Sequence, residues 1–317
     1  MKNNDMKKCL SLLLFGLLCL LALTARSATL EEILASEIAK KAETVEKPAE
    51  KSVEKPVENP AEKPVEERKA VVHISTLEEI KKSGALRVCL EPLYTPFEML
   101  NKQGEVIGFD VDLAELMAKE LGASLKIVNT AWGDIIPALI ANKCDIIVSG
   151  MTITGERRQK IDFSNAYMSI GQTVLLRKEL SDKVKSYKDL NDPAYKVASK
   201  SGTTGEAAVK SQLPKVSYKA FESERDAMIA VVEGRIDAFI YDSPYNTVAF
   251  EQYGADKVVF LESPFTIEHL GFGVRKGDPE FLEWLNNFSK KIASSGDKYR
   301  LYRKWMKNTS WIKDLKD

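Results

Sequence analysis

The sequence predicts an α/β fold of two similar halves with mainly parallel sheets, and three observations predict it. From Leu77 onward, short apolar runs alternate with helical patterns, as in sheets whose strands are joined by crossover helices. A βαβαβ series in the first half is followed by a second series of the same kind. One stretch, Ala138 to Gly150, is echoed residue by residue in Ala230 to Asp242.

The elements follow in order. Leu86 to Leu90 is a strand, and Asp110 to Leu121 is an amphipathic helix with an acidic start and Gly122 as its stop. Leu125 to Val128 is a second strand, Ile135 to Asn142 a helix, and Asp145 to Ser149 a third strand. In the second series Tyr195 to Ser199 is a strand and Ser201-Gly202-Thr203-Thr204-Gly205 opens a helix. Ser217 to Phe221, a helix over Ser223 to Glu233, and a strand over Ala238 to Tyr241 complete it. In the echoed stretches Asp145 and Asp237 fall at the starts of their strands and read as turn residues.

The start of the chain reads as an address. Lys2, Lys7 and Lys8 precede an apolar core from Leu10 to Leu23, and Ala25-Arg26-Ser27 offers a small-x-small cleavage site, which makes residues 1–27 a signal peptide. An uncleaved anchor is the alternative. Cys19 is a weak lipidation candidate, because the bulky Leu18 precedes it. Residues 28–73 are rich in Lys, Pro and Glu, with four-residue units such as Lys55-Pro56-Val57-Glu58 and Lys63-Pro64-Val65-Glu66 in succession. Such a segment reads as a disordered, extended tether.

Composition removes several function classes. Lys plus Arg and Asp plus Glu each number 46, so the chain lacks the basic footprint of a nucleic-acid binder. Two histidines and four cysteines without CxxC or HExxH spacing give no zinc or iron–sulfur set. GxxxxGK[ST] and GxSxG are absent, and Gly271-Phe272-Gly273 has the wrong continuation for a dinucleotide turn. No cofactor is expected. Cys89 and Cys144 sit on or beside neighbouring strands, offset by about three residues at roughly 3.3 Å each, which exceeds disulfide reach. Two buried free thiols are therefore expected.

Ligands of open α/β sheets bind beyond the carboxyl ends of the strands, which singles out Ser149-Gly150 and Tyr241-Asp242. After Gly150 the chain runs through Met151-Thr152-Ile153-Thr154-Gly155-Glu156-Arg157 into a helix that Thr154 can cap. Arg157 opposes the macrodipole there, a conflict that a bound carboxylate would relieve. Pairing of Arg157 with Asp162 or Glu156 is the alternative. Asp242 can accept from an ammonium group, or cap the helix that begins at Ser243-Pro244.

These residues resemble family 3 extracellular solute-binding proteins, the amino-acid-binding components of ABC importers. The resemblance runs from about Leu77 to Trp305. It rests on Leu86-Arg-Val-Cys-Leu-Glu-Pro-Leu-Tyr-Thr-Pro-Phe-Glu98, Gly108-Phe-Asp-Val-Asp-Leu113, Gly150-Met-Thr-Ile-Thr-Gly-Glu-Arg157, Ile161-Asp-Phe-Ser164 with Tyr167, and Ser201-Gly-Thr-Thr-Gly205. It implies a two-lobed periplasmic-binding-protein fold in which lobe 2, residues 172–264, is inserted through two hinge strands into lobe 1, residues 74–171 and 265–317. The hinges fall near Ser169 to Thr173 and Pro264 to His269.

By the same resemblance, Arg157 and the backbone around Thr152 would hold a ligand α-carboxylate, with Thr204 contributing from lobe 2, and Asp242 the α-ammonium. Glu91, Tyr94 and Trp132 would line the side-chain pocket, flanked by Ser149 and Gly150. Gly150 replaces a hydroxyl residue of some relatives, so one ligand hydrogen bond is lost or comes from the backbone. Glu91 favours a cationic or hydrogen-bonding side chain. The implied protein is an exported periplasmic monomer that delivers a polar amino acid, basic ones included, to an inner-membrane ABC permease. Rival readings are a cyclohexadienyl dehydratase-like enzyme, with Glu91 as general acid, and a ligand-sensing receptor module.

Overall fold

The computed structural model describes residues 75–316. The expected signal peptide and tether lie outside the described residues. Among the described residues, no helix is long and apolar enough to cross a membrane.

Two five-stranded sheets organise the chain. The first has the order Ser124–Asn129, Ala85–Leu90, Ile146–Ile147, Gly273–Val274, Asp162–Phe163. Its first three strands are parallel, and the last two run antiparallel to their neighbours. The second repeats that plan with Ser217–Phe221, Lys196–Lys200, Ala238–Asp242, Gln172–Arg177 and Val258–Leu261. In each sheet the fourth strand is the one entered from the other half of the chain. The fold is therefore two-lobed, with one lobe inserted in the other. The connecting strands Met168–Ile170 and Glu268–Leu270 pair side by side, His269 opposite Ser169.

The local signals explain most boundaries. The helix Phe109–Leu121 stops where Gly122 takes a left-handed φ of 63°, a conformation glycine adopts without Cβ strain. The helix Thr204–Gln212 is capped by Thr203, which accepts from Glu206 N. Pro279–Ser294 starts at Asp278, whose side chain accepts from Phe281 N, and buries Phe281, Leu285, Phe288 and Ile292 along one face.

The two echoed aspartates do the same work. Asp145 accepts from Arg87 N at 2.7 Å and Asp237 from Lys196 N at 2.8 Å. Each also takes an arginine Nε–H, from Arg87 at 3.1 Å and from Arg177 at 2.7 Å. They tie neighbouring strands together at the end away from the crevice.

Three expectations need correction. The helix after Ile135 ends at Ile140 rather than Asn142, which turns with φ 55°. The third strand is only Ile146–Ile147, because Gly150 turns the chain with φ 52°. Cys89 and Cys144 are not free thiols but form a disulfide, with Cα atoms 5.6 Å apart. The register does place Cys89 beside Ile147, three residues past Cys144. However, Cys144 precedes the strand Ile146–Ile147 and follows the left-handed turn at Asn142, so a distance reckoned along the strand does not apply to it.

Candidate functional site

The crevice is built from strand ends and the turns that follow them. Ala85–Leu90 delivers Glu91, Ile146–Ile147 delivers Ser149 and Gly150, Lys196–Lys200 ends at Lys200, and Ala238–Asp242 ends at Asp242. A three-stranded sheet, Leu93–Tyr94, Glu98–Leu100 and Val106–Ile107, adds Tyr94. The nine site residues picked from the sequence, Glu91, Tyr94, Trp132, Ser149, Gly150, Thr152, Arg157, Thr204 and Asp242, line one crevice together with Lys200, Thr203 and Tyr241.

Arg157 lies in the short helix Gly155–Lys160, whose cap Thr154 accepts from Arg157 N at 3.2 Å. Its side chain folds back, donating through Nη1 to Thr152 O at 2.8 Å and through Nη2 to Gly202 O at 3.4 Å. The guanidinium stacks 5.0 Å above the Trp132 ring. Burial lowers its pKa, opposed by the negative charges of Asp242 and Glu268. Among the described residues it makes no ion pair: Glu156 is taken by Lys160 at 3.2 Å, and Asp162 accepts from Gly277 N. A half-buried guanidinium whose partners are carbonyls keeps its full charge available for an anion.

Asp242 does not cap the helix Ser243–Tyr253, for its side chain makes no cap bond there. The carboxylate instead accepts from Tyr94 Oη and Gln172 Nε2. It is 6% exposed, and burial together with Glu268 raises its pKa to about 7. Gln172 also donates to Glu268 Oε1 at 2.8 Å, and Thr152 Oγ1 donates to Glu268 Oε2 at 2.9 Å. Thr204 Oγ1 lies 3.5 Å from Thr152 Oγ1, bringing the hydroxyls of both lobes together.

The remaining wall is tightly committed. Glu91 accepts from Trp132 N at 3.0 Å and from the Lys200 ammonium. The Trp132 indole donates across the crevice to Gly202 O at 3.0 Å. Ser149 donates to Glu98 and accepts from Glu91 N at 3.3 Å. The Gly150 N–H does not face a ligand, because it donates to Asp110 Oδ2 at 2.6 Å. Burial raises Asp110 to about 7, against the pull of that N–H and of Tyr167. Gly150 also has Tyr94 against it: a Cβ there would lie 2.2 Å from Tyr94 Cε1, so a residue with a side chain cannot stand here without moving Tyr94.

Sequence reasoning singled out Tyr241 as a strand end without giving it a place in the site, and missed Lys200, Thr203, Gln172, Glu268 and the buried Glu224. Lys200 had a signal, since it ends a parallel strand directly before Ser201–Gly205. Gln172 and Glu268 fall inside the segments read as hinges, where their polar ends had no visible partner until the two strands were laid side by side.

Comparison with known proteins places this arrangement. Residues 86–308 match the family described as bacterial extracellular solute-binding proteins, family 3. A protein from Neisseria gonorrhoeae named "Probable histidine-binding protein" is 35% identical over 69% of this chain and 82% of its own. The ABC transporter arginine-binding protein 1 of Escherichia coli is 29% identical over 67% of this chain and 86% of its own. Among solved structures, an ancestral amino acid-binding protein described as a precursor of cyclohexadienyl dehydratase is 48% identical, covering 73% of this chain and 100% of that one with a TM-score of 0.70. An ABC-transporter binding component from Wolinella succinogenes, complexed with lysine, is 44% identical, covering 73% and 99% with a TM-score of 0.71. By its sequence match over most of the described residues and by its two-lobed fold, the chain belongs to the bacterial extracellular solute-binding proteins, family 3.

Proposed function

We propose that the protein is exported, captures an amino acid with a polar side chain between its lobes, and presents it to an ABC-type permease. The observation that carries this reading is the placement in one crevice of Arg157, a half-buried guanidinium with no carboxylate partner among the described residues, and Asp242, a buried carboxylate on the opposing lobe. An α-amino acid bears both complementary charges on one carbon, so a ligand held by Arg157 and Asp242 ties the lobes together. Closure is then stabilised only by a molecule carrying both groups. Thr152 and Thr204 flank the carboxylate end, and Glu91, Tyr94 and Trp132 line the side-chain end. Residues 74–171 and 265–317 form one rigid lobe and 172–264 the other, moving about the paired strands Met168–Ile170 and Glu268–Leu270. The Cys89–Cys144 disulfide suits an oxidising compartment outside the cytoplasm.

A dehydratase reading draws support from the ancestral relative described as a dehydratase precursor. Against it, both oxygens of Glu91 are engaged by the protein's own donors, Trp132 N and Lys200. The test is a thermal-shift screen against the amino acids, with Arg157→Ala beside the wild type. One amino acid should raise the wild-type midpoint and be recovered unchanged; the variant should fold and lose that response. Loss of water and carbon dioxide from prephenate or arogenate, seen by mass spectrometry, would overturn the binding-protein reading. Unaltered affinity would remove Arg157 from the carboxylate role.

A further inference from the structure

Lys200 is the charged group in the crevice that amino-acid binding leaves without a role. Its side chain is 3% exposed. The ammonium meets Glu91 from the opposing lobe, and lies 2.8 Å from Glu224 Oε2 within its own. Burial disfavours its charge, yet Glu224 and Glu91 hold its pKa above the ordinary value, so it enters the crevice as a cation.

That changes what Glu91 can offer a ligand. Its two oxygens already accept from Trp132 N and from Lys200, so the negative charge that would attract a guanidinium is met by the protein's own ammonium. An ammonium carries three donors; one goes to Glu91, and Glu224 Oε2 stands beside it as an ion-pair partner. A donor remains for the crevice that Lys200 borders. Glu224 is fully buried, and neither of its carboxylate oxygens accepts a hydrogen bond among the described residues. Burial raises its pKa against the pull of Lys200, which weakens its negative field further. A cationic side chain would bring a second positive charge beside Lys200 in a poorly solvated site, where like charges repel strongly. A carbonyl or carboxylate oxygen would take the free donor.

We propose that Lys200 sets the specificity of the side-chain pocket, selecting an amino acid whose side chain ends in an acceptor, an amide or a carboxylate, over one that ends in a guanidinium or ammonium. This rests on the amino-acid-binding reading above. Calorimetric titration of the full chain with L-glutamine, L-glutamate, L-arginine and L-lysine tests it, and the stronger of the first two identifies amide or carboxylate. Either should bind at least about tenfold tighter than arginine and lysine, the scale of one close charge contact. Lys200→Met, similar in length and uncharged, frees Glu91 for a cation. It should cut the arginine-to-glutamine ratio of Kd values by about tenfold or more. Glu224→Gln leaves Lys200 with one carboxylate and should tighten glutamate relative to lysine. A wild type that prefers arginine or lysine, or a folded Lys200→Met with an unchanged ratio, overturns the proposal. If Lys200→Met does not fold, the wild-type ranking and Glu224→Gln decide. If none of the amino acids raises the melting temperature, the amino-acid reading itself fails; if they bind but the ratios hold, only the role of Lys200 does.

Discussion

Replacing Gly150 by alanine should disable the crevice through a single methyl group. At φ 52° an alanine pays about 1 kcal/mol for the left-handed conformation. The new Cβ would stand 2.2 Å from Tyr94 Cε1 and 2.9 Å from Cδ1, where carbon atoms settle at about 3.5–4.0 Å. The ring must therefore shift by more than about 1 Å. It cannot do so freely, being stacked on Phe97 at 4.7 Å and set edge-on to Tyr241 at 5.7 Å. The shift pulls the Tyr94 hydroxyl off Asp242, and a buried carboxylate that loses a donor is worse off by about 1–3 kcal/mol. Together these effects destabilise the protein by about 2–4 kcal/mol, or about 5–15 °C in Tm for a domain of this size. Scanning calorimetry measures that fall, and titration of each variant with the strongest amino-acid ligand measures the accompanying loss of affinity. A variant that melts within about 2 °C of the wild type and binds equally well would refute the coupling of Gly150, Tyr94 and Asp242.

Two further outcomes follow from the buried acid and the disulfide. Asp242, near 7 in the folded protein and near ~3.9 when unfolded, holds a proton between those values that the unfolded chain has lost. Its favourable contribution to stability is thus present at low pH and fades as pH rises from about 4 to 7. An ammonium ligand needs the ionised carboxylate that Tyr94, Gln172, Arg157 and Glu268 surround. Affinity should therefore drop from pH 8 to pH 5 with proton uptake opposing binding, whereas Asp242→Asn should bind weakly with no such slope; a wild-type affinity flat in pH would count against Asp242 as the ammonium partner. The disulfide closes a loop with a sequence separation of 55, for which loop-closure entropy gives about 4 kcal/mol. Reduction with dithiothreitol should lower the urea midpoint correspondingly; identical unfolding curves with and without reductant would show that the bridge adds nothing.

Much was legible along the chain because it depended on local chemistry. Strand and helix positions followed from periodicity and from signals such as the stop at Gly122, and strand ends nominated Ser149, Gly150 and Asp242. The disulfide was misjudged because distance was reckoned along a strand that Cys144 never joins. Lys200, Glu224, Gln172 and Glu268 were overlooked because a buried polar group is recognised by its partner. Those partners lie far along the chain, as in the 109-residue gap from Glu91 to Lys200, the 96 from Gln172 to Glu268 and the 116 from Thr152 to Glu268.

By itself the sequence determined the α/β class, the internal duplication and the charged residues at the strand ends, since all three follow from patterns within a few residues of each position. Only the tertiary structure decided which charges remain available to a ligand. Arg157 is left without a carboxylate while Glu91 is already met by Lys200, because desolvation and pairing are properties of neighbours in space, and those neighbours come from opposite lobes.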